Sequence, residues 1–431
     1  LAQNDKKAIQ ALTTFYKKVY NTIAIVVALI GVSLIPFLNK IINLEQNVPH
    51  LTLYYVLALA DTIGSYLFAY KISVMTADQK EYIQVRISMV FNVVKVLLQI
   101  VLLIWLKSYG IYLVLSLIAT VGSNIVASIK AEKEYPYIKE KRGLEKEKKR
   151  DIFDTIRSVF LYKISNVILT GTDNTLISAL VGTVYVGYYS NYFLLENSLY
   201  VIMKIVFRST TASVGNLVVT EDAKTRYRVF DYMQTISFCM CAVVIPCYFV
   251  LVDDFISHVW LGKGFGIGLF ALIGLCLNFY ITSVFLPVIS FREAIGLYRK
   301  TKYYMLAAAL LNVGLSAIFS IKWGMAGILL ATPIARLLTY VWYEPKILFE
   351  EYFEKGAGQF IVQCIKNVFL VTGISWLCYI IGTHILVSGI IGWILKGCLC
   401  GSLSLIITIC AYRKTEGFQW LVGQAKKGLN M

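Results

Sequence analysis

Long apolar segments, repeated along the whole chain, place the strongest constraint on its fold. A helix that crosses the hydrocarbon core of a bilayer needs about 20 mostly apolar residues, and twelve segments of this kind are present. Of the 431 residues, 58% are hydrophobic and 15% are charged, whereas soluble chains carry about 25% charged residues. We therefore exclude a water-soluble domain and predict an all-α, polytopic membrane protein. The segments cover residues 19–38, 51–70, 83–106, 109–129, 158–181, 184–203, 229–252, 265–290, 303–321, 324–343, 361–381 and 386–411.

The distribution of Lys and Arg predicts the orientation of these helices, because cytoplasmic loops are enriched in both residues. With the N-terminus inside, 33 of the 41 Lys and Arg fall on the cytoplasmic side, if Arg86 and Lys366 near the inner ends of their segments are included. Four lie in outer loops and four lie deeper within the apolar segments. The formal net charge of +16 therefore indicates topology rather than a nucleic-acid-binding surface. We expect both ends of the chain to be cytoplasmic.

A weak internal repeat predicts how the helices are grouped. Asn4-Asp5-Lys6-Lys7 resembles Glu221-Asp222-Ala223-Lys224, 217 positions later, and each motif precedes an apolar segment. This offset predicts two pseudo-symmetric bundles built from a six-helix unit. The first copy of the unit lacks two helices, and a helix pair follows the second copy at the C-terminus. An even number of helices gives both copies the same orientation. We predict a truncated four-helix bundle at residues 1–129, a basic cytoplasmic linker at 130–157, a six-helix bundle at 158–343, and an interfacial helix, the last two transmembrane helices and a cytoplasmic tail at 344–431.

Polar side chains recur within the apolar segments at helical spacing. Gln84, Ser88, Asn92, Lys95 and Gln99 share one face of a single helix. Comparable stripes contain Ser116, Thr120, Asn124 and Ser128; Lys163, Asn166, Thr170 and Asp173; Tyr189, Tyr192, Glu196, Tyr200, Lys204 and Arg208; Asn312, Ser316 and Ser320; and Thr332, Arg336 and Tyr340. Several polar stripes facing a common centre predict a hydrated cavity inside the membrane.

Cations inside the apolar segments predict an anion-binding cavity. Charges at membrane depth normally face a bundle interior or a wet cavity. Lys95, Lys163 and Arg336 have no obvious carboxylate partner at helical spacing on their own helices, which suits an anionic substrate. Asn92, Asn312 and Arg208 are further candidate lining residues. We expect the remaining cation, Lys396, to extend to the membrane interface.

The polar residues also allow other interpretations. Stripes of Ser, Thr and Asn can hold helices together, and for the stripe that contains Ser116 this role is at least as well supported as a place in the cavity wall. Asp61, Asp173 and Glu196 can pair with the cations or form a proton- or cation-coupling site. Pairing is the favoured interpretation.

The sequence gives little support to catalysis. His50, His258 and His384 fall at or beside outer loops and are far apart in the chain, and the nine cysteines lie in apolar helices without the spacing of zinc ligands. No phosphate-binding loop or dinucleotide fingerprint is present. We therefore expect no catalytic residue, no metal and no cofactor.

Two stretches of the second bundle resemble a known family. Residues Thr172 to Ser178, followed by Val186 to Tyr192, are similar to the seventh and eighth helices of bacterial polysaccharide flippases. These are the Wzx-like branch of the multidrug/oligosaccharidyl-lipid/polysaccharide exporter superfamily. The basic linker and the stretch from Gly324 to Arg336 fit the same family, so the resemblance covers essentially the whole chain. It implies fourteen helices in the complete protein, of which this chain would be a fragment with helices three to fourteen.

The resemblance also implies a function. Members of this family move undecaprenyl-pyrophosphate-linked oligosaccharides across the bacterial cytoplasmic membrane by alternating access, for the synthesis of capsule, O-antigen or exopolysaccharide. Cations in a central cavity take part, and Lys95, Lys163 and Arg336 are the positions that match this role. Polysaccharide assembly enzymes are possible partners. The alternatives are a multidrug or cation antiporter of the same superfamily, which would use membrane carboxylates such as Asp61, and a polytopic glycan polymerase or acyltransferase, which would need a catalytic residue on a sizeable outer loop.

Overall fold

A computed structural model describes residues 6–38, 49–78, 80–140, 142–143, 146–385 and 389–429. Asn4 and Asp5 of the first repeat motif, and residues 141, 144 and 145 of the basic linker, lie outside the described residues. Within the described residues all regular secondary structure is helical, which confirms the predicted all-α class.

The chain divides into two compact units, Leu1–Ile152 and Phe153–Met431. The division falls inside the stretch that we predicted to be a linker, residues 130–157. In the first unit, α5 packs against α2, α3 and α4, so it is the central helix of that unit. The helices are α1 (Lys6–Leu34), α2 (Leu51–Leu67), α3 (Ala69–Ala77), α4 (Glu81–Leu106) and α5 (Tyr109–Glu134), with short 3-10 turns at Ile35–Phe37 and Pro136–Lys139.

The second unit is organised around one long helix, α9. This helix packs against α7, α10, α14, α15 and α16, and a π-helical turn at Phe255–Trp260 extends it. The helices are α6 (Lys146–Leu180), which crosses the division between the units, α7 (Thr183–Arg208), α8 (Thr211–Thr220), α9 (Ala223–Asp254), α10 (Leu269–Val284), α11 (Leu286–Ile295), α12 (Tyr298–Leu338), α13 (Tyr340–Tyr352), α14 (Gly358–Thr383), α15 (Gly389–Tyr412) and α16 (Glu416–Leu429).

Seven helical segments among the described residues are long and apolar enough to cross a membrane, and nine if each of two bent pairs counts as one span. One of the seven, Tyr298–Tyr352, contains two of the predicted apolar runs. Helices α6 and α7 do not meet the same criterion, because polar residues such as Asn166, Asp173 and Glu196 interrupt their apolar sequence. With these two helices included, each predicted run overlaps a helical segment or a bent pair in the described part of the chain, and the runs at 303–321 and 324–343 share one segment.

Bent helix pairs occur at matching places in the two units. α2 and α3 meet at Phe68 with a bend of 48°, and α10 and α11 meet at Phe285 with a bend of 44°. The two breaks are 217 positions apart, the offset of the sequence repeat.

Glycine divides α12 into two packed halves. Gly324 has φ 54° and ψ −133°, a conformation that residues with a Cβ rarely adopt. At Gly327 an added Cβ would lie 2.3 Å from the carbonyl oxygen of Phe319. The chain thus reverses at Gly324, and the absence of a side chain at Gly327 lets the two halves pack closely.

Large apolar side chains are exposed along the predicted spans, as expected for surfaces that face lipid. Trp105 on α4 is 81% exposed. The protein core of the first unit is small and is formed where α1, α3, α5 and the turn Pro136–Lys139 meet, whereas the core of the second unit extends through nearly all of its helices. Lipid-facing surface and protein core together account for the high apolar content.

Candidate functional site

Polar residues from three helices meet in the interior of the second unit. We call Asp173, Glu196, Asn312, Thr332 and Arg336 the core polar cluster. All five are buried: Asn312 is 0% exposed and the most exposed member, Asp173, is 6% exposed. Sequence reasoning predicted each of these positions as part of a polar stripe, and the structure brings the stripes of α6, α7 and α12 together.

Hydrogen bonds link one side of this cluster. Asn312 Nδ2 donates to Thr332 Oγ1 (2.7 Å), and Thr332 Oγ1 donates to Asp173 Oδ1 (3.2 Å). Asn312 and Thr332 lie on opposite halves of α12, and Asp173 lies on α6. The chain of bonds therefore connects α6 to both halves of the helical hairpin.

The charged side of the cluster contains two carboxylates and one guanidinium. Arg336 Nη1 donates to the hydroxyl of Tyr340 (2.6 Å), and among the described residues no carboxylate lies within ion-pair distance of Arg336. Arg336 Nε and Glu196 Oε2 are buried without a hydrogen-bond partner among the described residues. The pairing of Asp173 and Glu196 with a cation therefore stays a prediction, and the cluster leaves buried polar atoms unsatisfied.

Lys163 lies on a more accessible part of α6. Its side chain is 55% exposed, and Nζ lies 3.8 Å from Glu293 Oε1 on α11 and 5.9 Å from the centre of the Tyr298 ring. Sequence spacing gave no partner for Lys163 on its own helix. The structure supplies one from another helix, which spacing within one helix cannot show.

The other predicted lining residues lie outside the core polar cluster. Arg208 is exposed in the last turn of α7. In the first unit, Asn92 is exposed and lines a groove of ≈630 Å³ along α4, together with Gln84 and Ser88. Lys95 is half-buried on the same helix, and no carboxylate lies within ion-pair distance of it in the part of the chain that the structure describes.

Asp61 stands apart from these cations. It lies on α2 and is half-buried, and its Oδ1 is buried without a hydrogen-bond partner within the described part of the chain. A carboxylate oxygen in this state inside an apolar helix is costly. Asp61 therefore stays a candidate for coupling or ion pairing.

Lys396 has a carboxylate partner on another helix. Its side chain is 10% exposed, and Nζ lies 2.6 Å from Asp254 Oδ2 at the end of α9. Its extension to the membrane interface stays a prediction. The lysine stem passes over Gly382, where an added Cβ would lie 2.6 Å from Lys396 Cε. A carboxylate 142 positions away in sequence supplies the partner, which no spacing rule predicts.

The stripe on α5 holds helices together at one point. Gln99 Nε2 on α4 donates to Ser116 Oγ and to the carbonyl oxygen of Tyr112, both at 2.9 Å. Ser116 thus joins α4 and α5, in agreement with the structural interpretation of its stripe.

Sequence reasoning missed a second buried charge cluster. Arg292 Nη1 donates to Glu344 Oε2 (3.0 Å) and to the hydroxyl of Tyr162, and that hydroxyl donates to Glu344 Oε1 (2.9 Å). The side chains of Arg292 and Glu344 are 7% and 1% exposed. Both were assigned to the cytoplasmic side, because they lie at the ends of apolar segments beside charge-rich loops. Arg292 lies on α11 and Glu344 lies on α13, and the sequence does not show that these two helices bring the two residues together.

Groups of metal ligands are not found in the described part of the chain, where no three His, Cys, Asp or Glu residues are placed to bind a metal ion. The described cysteines are free, and several are buried in the core, for example Cys241 and Cys378. The site is thus built from hydroxyl, amide, carboxylate and guanidinium groups.

The architecture is that of an all-helical, polytopic membrane protein. Among solved structures, the chain is similar to one described as the lipid II flippase MurJ in its inward closed conformation. The superposition covers 93% of this chain and 84% of that chain, with a TM-score of 0.63 and 16% sequence identity. This similarity confirms the predicted fold class. No protein-family model matches the chain, and no curated protein sequence matches it.

Proposed function

We propose that this protein is a flippase for a lipid-linked glycan precursor. The observation that carries the proposal is a fold shared over 93% of the chain with a lipid II flippase. The substrate that we propose is an undecaprenyl-pyrophosphate-linked oligosaccharide, which moves across the bacterial cytoplasmic membrane by alternating access for capsule, O-antigen or exopolysaccharide synthesis. The Wzx-like sequence features and the cations within the predicted spans support this choice of substrate.

Lys163 is the residue that we propose to bind the pyrophosphate. Its ammonium group is accessible, and its ion pair with Glu293 is long, at 3.8 Å. An exposed ion pair contributes little free energy, about 0–1 kcal/mol, so a pyrophosphate group can replace Glu293 at low cost. Lys95 and Arg208 are further candidate contacts, while the glycan occupies the wet lumen and the polyprenyl chain stays in lipid.

Arg336 has a different place in this proposal. It is 4% exposed and hydrogen-bonded to Tyr340, so it is enclosed in the core of the second unit rather than exposed to a substrate. Replacing Arg336 by the shorter Gln removes its hydrogen bond to the Tyr340 hydroxyl and leaves a cavity in the core, and both effects destabilise the fold. We therefore expect Arg336→Gln to lower the amount of folded protein as well as export.

The test of substrate binding is a complementation assay in a host that depends on this protein for surface glycan. Lys163→Gln is expected to abolish glycan on the cell surface because it removes the positive charge, whereas Lys163→Arg keeps the charge and should retain most export. Lys322→Gln, at an exposed lysine beside Trp323, is the matched control and should export normally. All variants are compared at equal protein level in the membrane. Undiminished surface glycan in Lys163→Gln would overturn the assignment of Lys163.

An antiporter of the same fold is the second candidate, because buried carboxylate oxygens suit proton or cation coupling. Asp61 Oδ1 and Glu196 Oε2 are buried without a hydrogen-bond partner in the described part of the structure. A drug antiporter should lose drug resistance in Asp61→Asn while glycan export stays intact. Loss of glycan export without any change in drug resistance would instead support the flippase.

A further inference from the structure

An apolar groove lies on the surface of the second unit, between α9, α10 and α14. Its volume is ≈350 Å³, and its wall includes Phe249, Cys276, Leu277, Trp376 and Tyr379. All of these residues belong to helices that are apolar and long enough to cross a membrane, alone or as a bent pair. The groove therefore opens to the hydrocarbon region rather than to water.

The length of the groove matches one leaflet of a bilayer. Along α14 it extends from Val368 to Tyr379. A helix rises about 1.5 Å per residue, so this stretch measures roughly 16 Å. The hydrocarbon core is about 30 Å thick, and half of that thickness belongs to each leaflet.

The shape and chemistry of the groove suit a hydrocarbon chain. Small side chains at Cys276, Thr372 and Ser375 alternate with the aromatic rings of the wall. Ser375 Oγ donates to the carbonyl oxygen of Val371 on its own helix (2.8 Å), so this hydroxyl does not offer its proton to a guest. A buried water needs two to four polar partners, which a wall of this composition does not supply.

At one end of the groove, a tyrosine of α10 is hydrogen-bonded to α14. The hydroxyl of Tyr280 lies 2.9 Å from Asn367 Oδ1 and 3.0 Å from the carbonyl oxygen of Cys364. The opposite end lies at Leu269, the first residue of α10, and at Tyr379. That end lies on the predicted outer side of the membrane, so the groove lies mainly in the predicted outer leaflet.

We propose that this groove is a binding site for one acyl chain of a bilayer phospholipid. The match to a single leaflet favours an acyl chain over a polyprenyl chain, whose eleven isoprene units are several times longer than the groove. An unfilled apolar groove forfeits dispersion contacts along its wall, and the neighbouring lipids provide the chain that restores them. The proposal stands independently of the transported substrate.

The experiment counts tightly held lipid on the purified full chain by native mass spectrometry. Ser375→Phe fills the groove and should remove the phospholipid adduct. Ser402→Phe is the matched control: Ser402 is an exposed serine on α15 whose Oγ also bonds its own helix, at 2.7 Å from the carbonyl oxygen of Cys398. The control should keep the adduct. An adduct that persists unchanged in folded Ser375→Phe, or whose mass is that of a polyprenyl lipid, would overturn the proposal.

A second measurement uses the unmodified protein and so does not depend on whether the variant folds. The chain is reconstituted with a phospholipid that carries a photoactivatable group near the end of one acyl chain, and the cross-linked peptides are mapped. Labelling concentrated on α10 and α14 around Cys276 and Thr372 supports the site. Labelling spread equally over the lipid-facing surface of α15 contradicts it.

Discussion

At the scale of single residues, buried charges form closed groups within the second unit. Arg292 contacts Glu344 and the hydroxyl of Tyr162, and its guanidinium lies 4.6 Å from the centre of the Tyr162 ring. Removing one member of a buried ion pair leaves the other charge uncompensated, which costs far more than the loss of an exposed pair. The Arg292–Glu344 pair is therefore a sensitive point of the fold.

Glu344→Gln is expected to lower the free energy of unfolding by about 3–5 kcal/mol, because the buried charge of Arg292 loses its partner. The matched control is Glu351→Gln, on the same helix, which breaks an exposed pair with Lys300 and should cost no more than about 1 kcal/mol. Thermal unfolding of the detergent-solubilised protein measures both. Equal melting temperatures for the two variants would contradict the prediction.

Part of the site was accessible from sequence, for a physical reason. Asp173, Glu196 and Arg336 are charged residues within apolar segments. Because burying a charged side chain costs free energy, a charged residue in such a segment indicates a candidate site. Asn312 and Thr332 followed from helical spacing. The partners of Lys163, Arg292 and Lys396 could not be predicted, because each lies on another helix and depends on how the helices pack.

At the scale of helices, close packing rather than apolar content decides the shape of α12. The periodic sequence predicts two spans with a turn near Gly324, and the structure reverses the chain there. It does not predict that Gly327 lies against Phe319. That contact requires the crossing of the two halves, which only the folded chain defines.

Gly327→Ala should be clearly destabilising, because its Cβ would lie 2.3 Å from a backbone carbonyl oxygen that cannot rotate away. Overpacking of this kind typically costs about 1–3 kcal/mol. Gly314→Ala is the control on the same helix, since nothing lies within 4 Å of an added Cβ there. Helical preference alone should make that variant more stable, by roughly 0.5–1 kcal/mol.

The comparison is made by thermal unfolding of both alanine variants beside the unmodified protein. The melting temperature should fall for Gly327→Ala and should stay the same or rise for Gly314→Ala. A Gly327→Ala protein as stable as the original would show that the two halves of α12 can separate freely.

Helix α13 shows a related limit of sequence reasoning. The apolar residues of this stretch suggested a helix at the membrane interface. In the structure Ile347, Leu348 and Phe349 are buried, and Phe349 packs with Phe230 and Phe353. An amphipathic pattern shows that one face needs an apolar neighbour, but it does not distinguish protein from lipid as that neighbour.

At the scale of the whole molecule, the two units differ in how they are held together. The first unit has a small core, and ionic contacts supplement it outside the membrane-spanning helices. Asp78 Oδ2 accepts a hydrogen bond from Tyr135 (2.6 Å) and lies 2.9 Å from Lys80 Nζ. These contacts, the Tyr135 bond above all, lower the pKa of Asp78 below its ordinary value of 3.8.

The lowered pKa of Asp78 makes the first unit sensitive to acid. A carboxylate whose pKa is lower in the folded state stabilises that state above its unfolded pKa, and the stabilisation is lost as the pH falls through the folded value. Tyr135→Phe removes the hydrogen bond, so it should lower the melting temperature at pH 7. The difference from the unmodified protein should shrink below about pH 4.

Melting curves of the unmodified protein and of Tyr135→Phe over this pH range test the prediction. Tyr137→Phe serves as control, because the Tyr137 ring packs edge-on against Tyr135 while the bond to Asp78 comes from Tyr135. Its effect should not depend on acid pH. A Tyr135→Phe difference that stays constant down to pH 3 would contradict the role of Asp78.

The matched breaks at Phe68 and Phe285 have a consequence for the origin of the gene. A tandem duplication copies a kink together with the helix that carries it, and it leaves the copies at a constant distance in the chain. When the duplicated segment has an even number of spans, the second copy enters the membrane in the orientation of the first, so the fused product needs no change of insertion signals. On the hypothesis of such a duplication, a substitution studied at a position in one half points to the position 217 residues away as the one to study in the other.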